Sequence, residues 1–115
     1  MAVIGEIRGK NVLLVDDLTE TAGTLTTAGA LLKKKGAKQI IAVVSHAILN
    51  DVVIDRLRKS VIDELVTTDT VLRPAIAGVK ITTLSVAGLL GEAIKRIHSN
   101  SSVNSLFEFK GGRTS

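Results

Sequence analysis

The sequence predicts an α/β fold, with a mainly parallel four-stranded sheet flanked by about three helices. Hydrophobic residues make up 45% of the 115 residues, yet the chain has only two Phe and neither Trp nor Tyr. A core of Val, Ile, Leu and Ala is typical of strands that are buried by helices. Short apolar runs also alternate with segments of helical periodicity, which indicates one small domain with parallel strands.

The strands are predicted from the short apolar runs. These runs cover residues 11–16, 39–45, 62–68 and 80–85. Runs of this length that end in polar or acidic residues are typical of buried strands. Residues 103–109 are expected to add a short extended segment, so that the domain covers residues 1–109. The polar residues 110–115 are expected to form a flexible tail.

Three segments carry apolar residues at helical spacing. The first predicts a helix of about 12 residues up to Lys35, where Gly36 has the position of a C-cap glycine. The second begins at Asn50 and Asp51, which can cap a helix, and its apolar stripe extends to Val61. The third covers residues 86–98. Helices therefore alternate with the predicted strands.

Composition excludes several kinds of protein and site. The chain contains no Cys, so a disulfide framework and a thiolate metal site are impossible. Its two histidines are distant in sequence, so no metal site is predicted, and His98 is expected to complement the end of the third helix. No leader sequence and no membrane-spanning run is recognised, so we expect a cytoplasmic protein without a membrane partner.

The formal net charge of +4 raises the question of a nucleic-acid partner. The basic residues are scattered except for Lys33, Lys34 and Lys35, which fall at the end of the first predicted helix. Cations at that position complement the helix dipole, and no aromatic residues are interleaved with them to stack on bases. We therefore expect no nucleic-acid partner.

Residues 12–24 carry the most informative pattern for function. A buried strand leads to Asp16 and Asp17, and a loop of small residues follows and opens a helix. Side chains alternate along a strand, so the two carboxylates can accept hydrogen bonds from different groups, such as neighbouring hydroxyls of a sugar. Open parallel sheets place their ligands at the carboxyl ends of the strands.

The second half of this segment suits a phosphate. Residues Thr21 to Thr24 are predicted at a helix N-terminus, where unpaired N–H groups and the helix dipole favour an anion. Ala22 and Gly23 leave room for the backbone to approach it closely. The alternative is that Asp16 and Asp17 merely end a strand and that Thr21 or Thr24 is an ordinary N-cap.

Residues 15–24, Val-Asp-Asp-Leu-Thr-Glu-Thr-Ala-Gly-Thr, resemble the phosphoribosyl-binding loop of the type I phosphoribosyltransferase fold. The sequences around residues 5–10, 44–46, 68–70 and 85–98 extend the resemblance to the C-terminal part of the ribose-phosphate pyrophosphokinase family, over about residues 1–107. The resemblance implies a partial phosphoribosyltransferase-like domain, truncated at its N-terminal side, that binds ribose 5-phosphate or phosphate. Asp16 and Asp17 would hold the ribose hydroxyls, and Glu20, Thr21, Ala22, Gly23 and Thr24 would hold the phosphate.

Enzymes of this family transfer pyrophosphate from ATP to ribose 5-phosphate, and they use magnesium. Their N-terminal domain, mobile catalytic loop and pyrophosphate loop have no counterpart here, so no catalytic residue is assigned and these 115 residues are expected to be inactive alone. Two departures affect the loops: Glu20 replaces a common Asp, and Ala47 replaces a usual Gly. The alternatives are a non-catalytic sugar-phosphate-binding or regulatory subunit, and a fragment of a phosphoribosyltransferase.

Two further residues are candidates for the same cleft. His46 lies at the end of the second predicted strand, and Asp69 follows the third. Either could approach a bound ligand, although a histidine bonded to nearby backbone and a turn-forming aspartate are the alternatives. Exposed strand edges and uncovered apolar area further predict a homo-oligomer.

Overall fold

A computed structural model describes residues 2–19, 22–72 and 76–108. The chain divides into two compact units, Met1–Leu84 and Ser85–Ser115. The first unit contains the candidate loop, and it is built from four strands and two helices. The tail predicted at residues 110–115 lies outside the described residues.

The strands of the first unit form one parallel sheet, with neighbours in sequence also neighbours in space. They are β1 (Asn11–Thr19), β2 (Gln39–Ala47), β3 (Glu64–Thr68) and β4 (Ile81–Leu84). Helix α1 (Gly23–Lys34) connects β1 to β2, and α2 (Asp51–Lys59) connects β2 to β3. The predicted α/β class with a parallel four-stranded sheet is confirmed.

The core lies between one face of the sheet and the two helices. Ala42, Val44 and Leu65 from the sheet are buried with Leu25 of α1 and Leu57 of α2. Right-handed crossovers between strands in sequential order place successive helices on the same side of a sheet. The opposite face therefore receives no cover from α1 or α2, and its side chains are more exposed.

Several boundaries differ from the prediction, by two residues at the end of β2 and by one at each end of β4 among others. β1 continues to Thr19 because its last residues still pair with β2, as in the register of Leu18 with His46. α2 ends at Lys59, since Ser60 has an extended backbone, so Val61 lies beyond the helix. β3 begins at Glu64, two residues later than predicted.

The second unit contains α3 (Ala87–His98), which confirms the third predicted helix. Asn104–Phe107 forms a short 3-10 helix, so the predicted extended segment is wrong over these residues. Arg96 stabilises this turn, because its guanidinium donates to the Ser102 carbonyl (3.4 Å) and to the Ser105 hydroxyl. Within the described part of the chain, no helix has the length and apolar character to cross a membrane.

Candidate functional site

Asp16 and Asp17 lie inside β1, close to its carboxyl end, and both are exposed. As consecutive strand residues they direct their side chains to opposite faces of the sheet. Asp16 Oδ1 accepts the N–H of Asp17 at 2.8 Å, which leaves its other oxygen and the whole Asp17 carboxylate as acceptors. The strand thus presents two acidic groups to solvent beside the loop that follows.

Thr19 joins this loop to the neighbouring strand. Its side chain is buried, and its Oγ1 accepts the N–H of Ala22 at 3.1 Å. Its carbonyl accepts the N–H of Ile48 at 3.0 Å, just after the end of β2. The role of Thr19 could not be predicted from the sequence, because a single hydroxyl at a strand end gives no periodic signal.

Ala22 has a left-handed backbone, with φ of 58°, and its side chain is buried. Its carbonyl accepts hydrogen bonds from the Thr26 N–H and the Thr26 hydroxyl, both at 2.9 Å. This conformation is unfavourable for a residue with a Cβ, and the bonds on both sides of Ala22 hold it in place. The loop therefore enters α1 with a defined backbone.

Helix α1 begins at Gly23, and it differs from α2 at its N-cap residue. Its N-cap residue, Ala22, forms no capping hydrogen bond, whereas the Asn50 side chain caps α2 by accepting the N–H of Val53 at 2.9 Å. Thr24 is exposed and lies in the first turn rather than at the N-cap, while Thr21, the other N-cap residue of the alternative interpretation, lies outside the described residues. The first N–H groups of a helix have no partner within it, and they can bind an anion.

Glu20 and Thr21 lie outside the described residues. The structure therefore brings together the acids of β1, the Thr19 hydroxyl that bonds to Ala22, and the Ala22 and Gly23 backbone at the start of α1. Chemically, this region offers acceptors on one side and donors on the other. Among the described residues, no group of His, Cys, Asp and Glu side chains has the arrangement of a metal site.

His46 and Asp69 lie at the same edge of the sheet but within a separate cluster of hydroxyls. His46 Nδ1 lies 2.7 Å from the hydroxyl of Thr70, and the Thr68 hydroxyl donates to the Ser45 carbonyl at 2.6 Å. His46 is thus bonded to a side chain rather than to backbone. Asp69 lies exposed between the two threonines. The hydroxyls of these threonines bond to the Ser45 carbonyl of β2, a contact that the sequence alone did not predict.

Known proteins share both the sequence and the fold. The family model for the phosphoribosyl synthetase-associated domain matches residues 1–108. Ribose-phosphate pyrophosphokinases of Campylobacter jejuni and Xanthomonas campestris are 44% and 47% identical to the chain, and each match covers 93% of it. The match spans only 34% of each relative, so the chain has about a third of their length.

A solved structure agrees with these matches. The crystal structure of phosphoribosylpyrophosphate synthetase from Mycobacterium smegmatis has a TM-score of 0.76 and 33% sequence identity with the chain. The superposition covers 85% of this chain and 33% of that one. The resemblance predicted from residues 15–24 and their surroundings is confirmed, and the chain belongs to the phosphoribosyl synthetase-associated domain family.

Proposed function

We propose that this chain is the ribose-5-phosphate-binding part of a ribose-phosphate pyrophosphokinase. The observation that carries the proposal is the first turn of α1, where Thr24 is exposed, shortly after a strand that bears two exposed acids. A sugar phosphate combines the two groups that this arrangement suits. Its phosphate accepts hydrogen bonds, and its hydroxyls donate them.

In this proposal, Asp16 and Asp17 accept hydrogen bonds from neighbouring ribose hydroxyls. The backbone N–H and the hydroxyl of Thr24 donate to the 5-phosphate, with Glu20, Thr21, Ala22 and Gly23 completing the loop. The positive end of the α1 dipole contributes further, since it is equivalent to roughly half an elementary charge. Charge-assisted hydrogen bonds of this kind are about twice as strong as neutral ones.

Isothermal titration calorimetry tests the assignment. We expect ribose 5-phosphate to bind more tightly than ribose or inorganic phosphate, because only the whole ligand occupies both halves of the site. Asp17→Ala and Thr24→Ala should each weaken binding about tenfold, the loss expected for one charge-assisted hydrogen bond. Both side chains are exposed, so neither change should disturb the core.

Matched controls separate the site from general effects of substitution. Asp55→Ala removes an exposed acid from α2, and Thr27→Ala removes an exposed hydroxyl from α1 beyond its first turn. Both controls should bind ribose 5-phosphate as the parent does. Equal affinity in the parent, Asp17→Ala and Thr24→Ala would refute the site.

We further propose that the full reaction, with ATP and magnesium, belongs to a longer protein or assembly. The relatives that carry this name are about three times as long as the matched region. Phosphoryl transfer needs positive groups near the transferred oxygens, and the described residues of the proposed site include neither Lys nor Arg.

We propose a cytoplasmic location for this protein.

An activity assay tests whether the full reaction needs more than these 115 residues. The purified 115 residues, mixed with ATP, magnesium and ribose 5-phosphate, should yield no phosphoribosyl pyrophosphate above the level of a protein-free control. Phosphorus-31 NMR would detect the product directly. Turnover by these residues alone would contradict the proposal, although it would leave the sugar-phosphate site itself intact.

A further inference from the structure

Thr19 is the last residue of β1, and the chain's own contacts bury it. It is 5% exposed, and Ala47, its partner in the register with β2, is 4% exposed. The Thr19 carbonyl accepts the N–H of Ile48 at 3.0 Å, just beyond the last residue of β2. The neighbouring strand therefore fixes the backbone of Thr19.

The hydroxyl of Thr19 acts on the loop that follows the strand. Its Oγ1 accepts the N–H of Ala22, which is only 2% exposed. Because both groups are buried, water cannot readily replace the hydroxyl as an acceptor. A side chain without this oxygen would leave the Ala22 N–H unpaired, and the loop would have to rearrange to satisfy it.

Ala22 is the residue whose conformation this bond holds. Its left-handed backbone is unfavourable for a residue with a Cβ, so it persists only where neighbouring contacts stabilise it. Thr19 bonds to its N–H, and Thr26 bonds to its carbonyl through both backbone and hydroxyl. The two threonines therefore hold Ala22 from opposite sides, one from β1 and one from α1.

We infer that Thr19 is a positioning residue for phosphate binding, which acts through Ala22 and does not itself contact the ligand. This role rests on the proposed function, because the phosphate is the one proposed to bind at Thr24. Affinity falls in proportion to the fraction of molecules that have the competent conformation before the ligand binds. The Thr19 bond raises that fraction by holding the entry to α1 in place.

Removal of the hydroxyl should weaken the two phosphate ligands by a common factor. Thr19→Val keeps the shape of the side chain and removes the acceptor. It should raise the dissociation constants of ribose 5-phosphate and of inorganic phosphate about tenfold each, the loss expected for one buried hydrogen bond. The factor is shared because both ligands use the first turn of α1, whereas only the sugar reaches Asp16 and Asp17.

Three further variants separate this role from an effect on packing. Thr19→Ser keeps the hydroxyl and should bind both ligands within about twofold of the parent. Thr19→Ala removes the acceptor with a smaller side chain and should repeat the losses, so the test does not depend on the folding of one variant. Thr67→Val makes the Thr-to-Val exchange at another buried strand position and should leave both affinities unchanged.

Titrations of the 115-residue chain and its variants with each ligand, followed by ¹H–¹⁵N NMR, measure the dissociation constants. Amide hydrogen exchange of the ligand-free chain gives a second readout that does not depend on the proposed function. The Ala22 amide should exchange at least about tenfold faster in Thr19→Val than in the parent or in Thr19→Ser.

The possible results distinguish this role from the proposed function. If the parent binds both ligands, the inference alone would be overturned by unchanged affinities in Thr19→Val, by a loss confined to ribose 5-phosphate, or by an unchanged exchange rate at Ala22. Equal losses in Thr67→Val and Thr19→Val would also overturn it, since the effect would then come from core packing. A parent chain that binds neither ligand would overturn the proposed function and this inference together.

Discussion

At the scale of single residues, some features of the loop between β1 and α1 could be predicted from the sequence and others could not. The residue types of Asp16, Asp17 and Gly23 indicated acceptors and a close backbone approach, and their positions in β1 and α1 agree with that pattern. The left-handed backbone of Ala22 could not be predicted, because residues with a Cβ rarely adopt it. The hydrogen bond from Ala22 to Thr19 holds this backbone, and it depends on the folded strand end.

Thr67 provides a test of core packing at the residue scale. Its side chain is 3% exposed, and its hydroxyl has no hydrogen-bond partner among the residues that the structure describes. Thr67→Val keeps the shape and removes this unsatisfied group, so we expect the free energy of unfolding to rise by about 1 kcal/mol. Urea denaturation followed by circular dichroism measures the change.

The matched control for this prediction is Thr82→Val in the neighbouring strand. The Thr82 hydroxyl donates to Glu64, so the same exchange should lower the free energy of unfolding by about 1 kcal/mol. If Thr67→Val were destabilising to the same degree as Thr82→Val, the Thr67 hydroxyl would have a partner in solution and the description of the core would be wrong.

At the scale of elements, the periodicity of apolar residues predicted the four strands and three α-helices that the described residues form, with errors at their ends. The apolar run of β1 ends at Val15, but pairing with β2 carries the strand to Thr19. This pairing depends on the neighbouring strand, so it cannot be predicted from the sequence of β1 alone. The same holds for Asn104–Phe107, where contacts from Arg96 favour a 3-10 turn over the expected extended segment.

The end of α1 was predicted from Gly36, and its geometry gives a test at this scale. Gly36 has φ of 96°. Its N–H donates to the Lys33 carbonyl at 3.0 Å, and the Ala37 N–H donates to the Leu32 carbonyl at 3.1 Å. A Cβ at Gly36 would also lie 3.3 Å from the Arg8 Cα. We expect Gly36→Ala to lower the free energy of unfolding by about 1–2 kcal/mol.

Gly9→Ala separates the two causes of the loss expected for Gly36→Ala, which are the backbone strain and the contact with Arg8. Gly9 has φ of 73°, but a Cβ there would meet no atom within 4 Å. Its substitution should therefore cost only the backbone strain and less than Gly36→Ala, as measured by urea denaturation. Equal losses in the two variants would mean that the contact with Arg8 contributes nothing.

At the scale of the whole molecule, the order of the strands determines both where the candidate site lies and which face of the sheet the helices cover. Parallel strands with sequential crossovers bring their carboxyl ends to one edge, where Asp16, Asp17 and the start of α1 lie. The same topology places α1 and α2 on one side of the sheet, so these two helices do not cover the other face. The sequence predicted the parallel sheet, but it could not show which face the helices cover, since that depends on strand order.

The central claim is that one ligand contacts the acids of β1 and the first turn of α1 together. A ¹H–¹⁵N NMR titration with ribose 5-phosphate, inorganic phosphate and ribose tests it most directly. We predict that both phosphates shift the backbone signals of Gly23 and Thr24, while only ribose 5-phosphate shifts these and those of Asp16 and Asp17 in a single saturable transition. Shifts confined to other parts of the chain, or different saturation curves for the two groups, would contradict the claim.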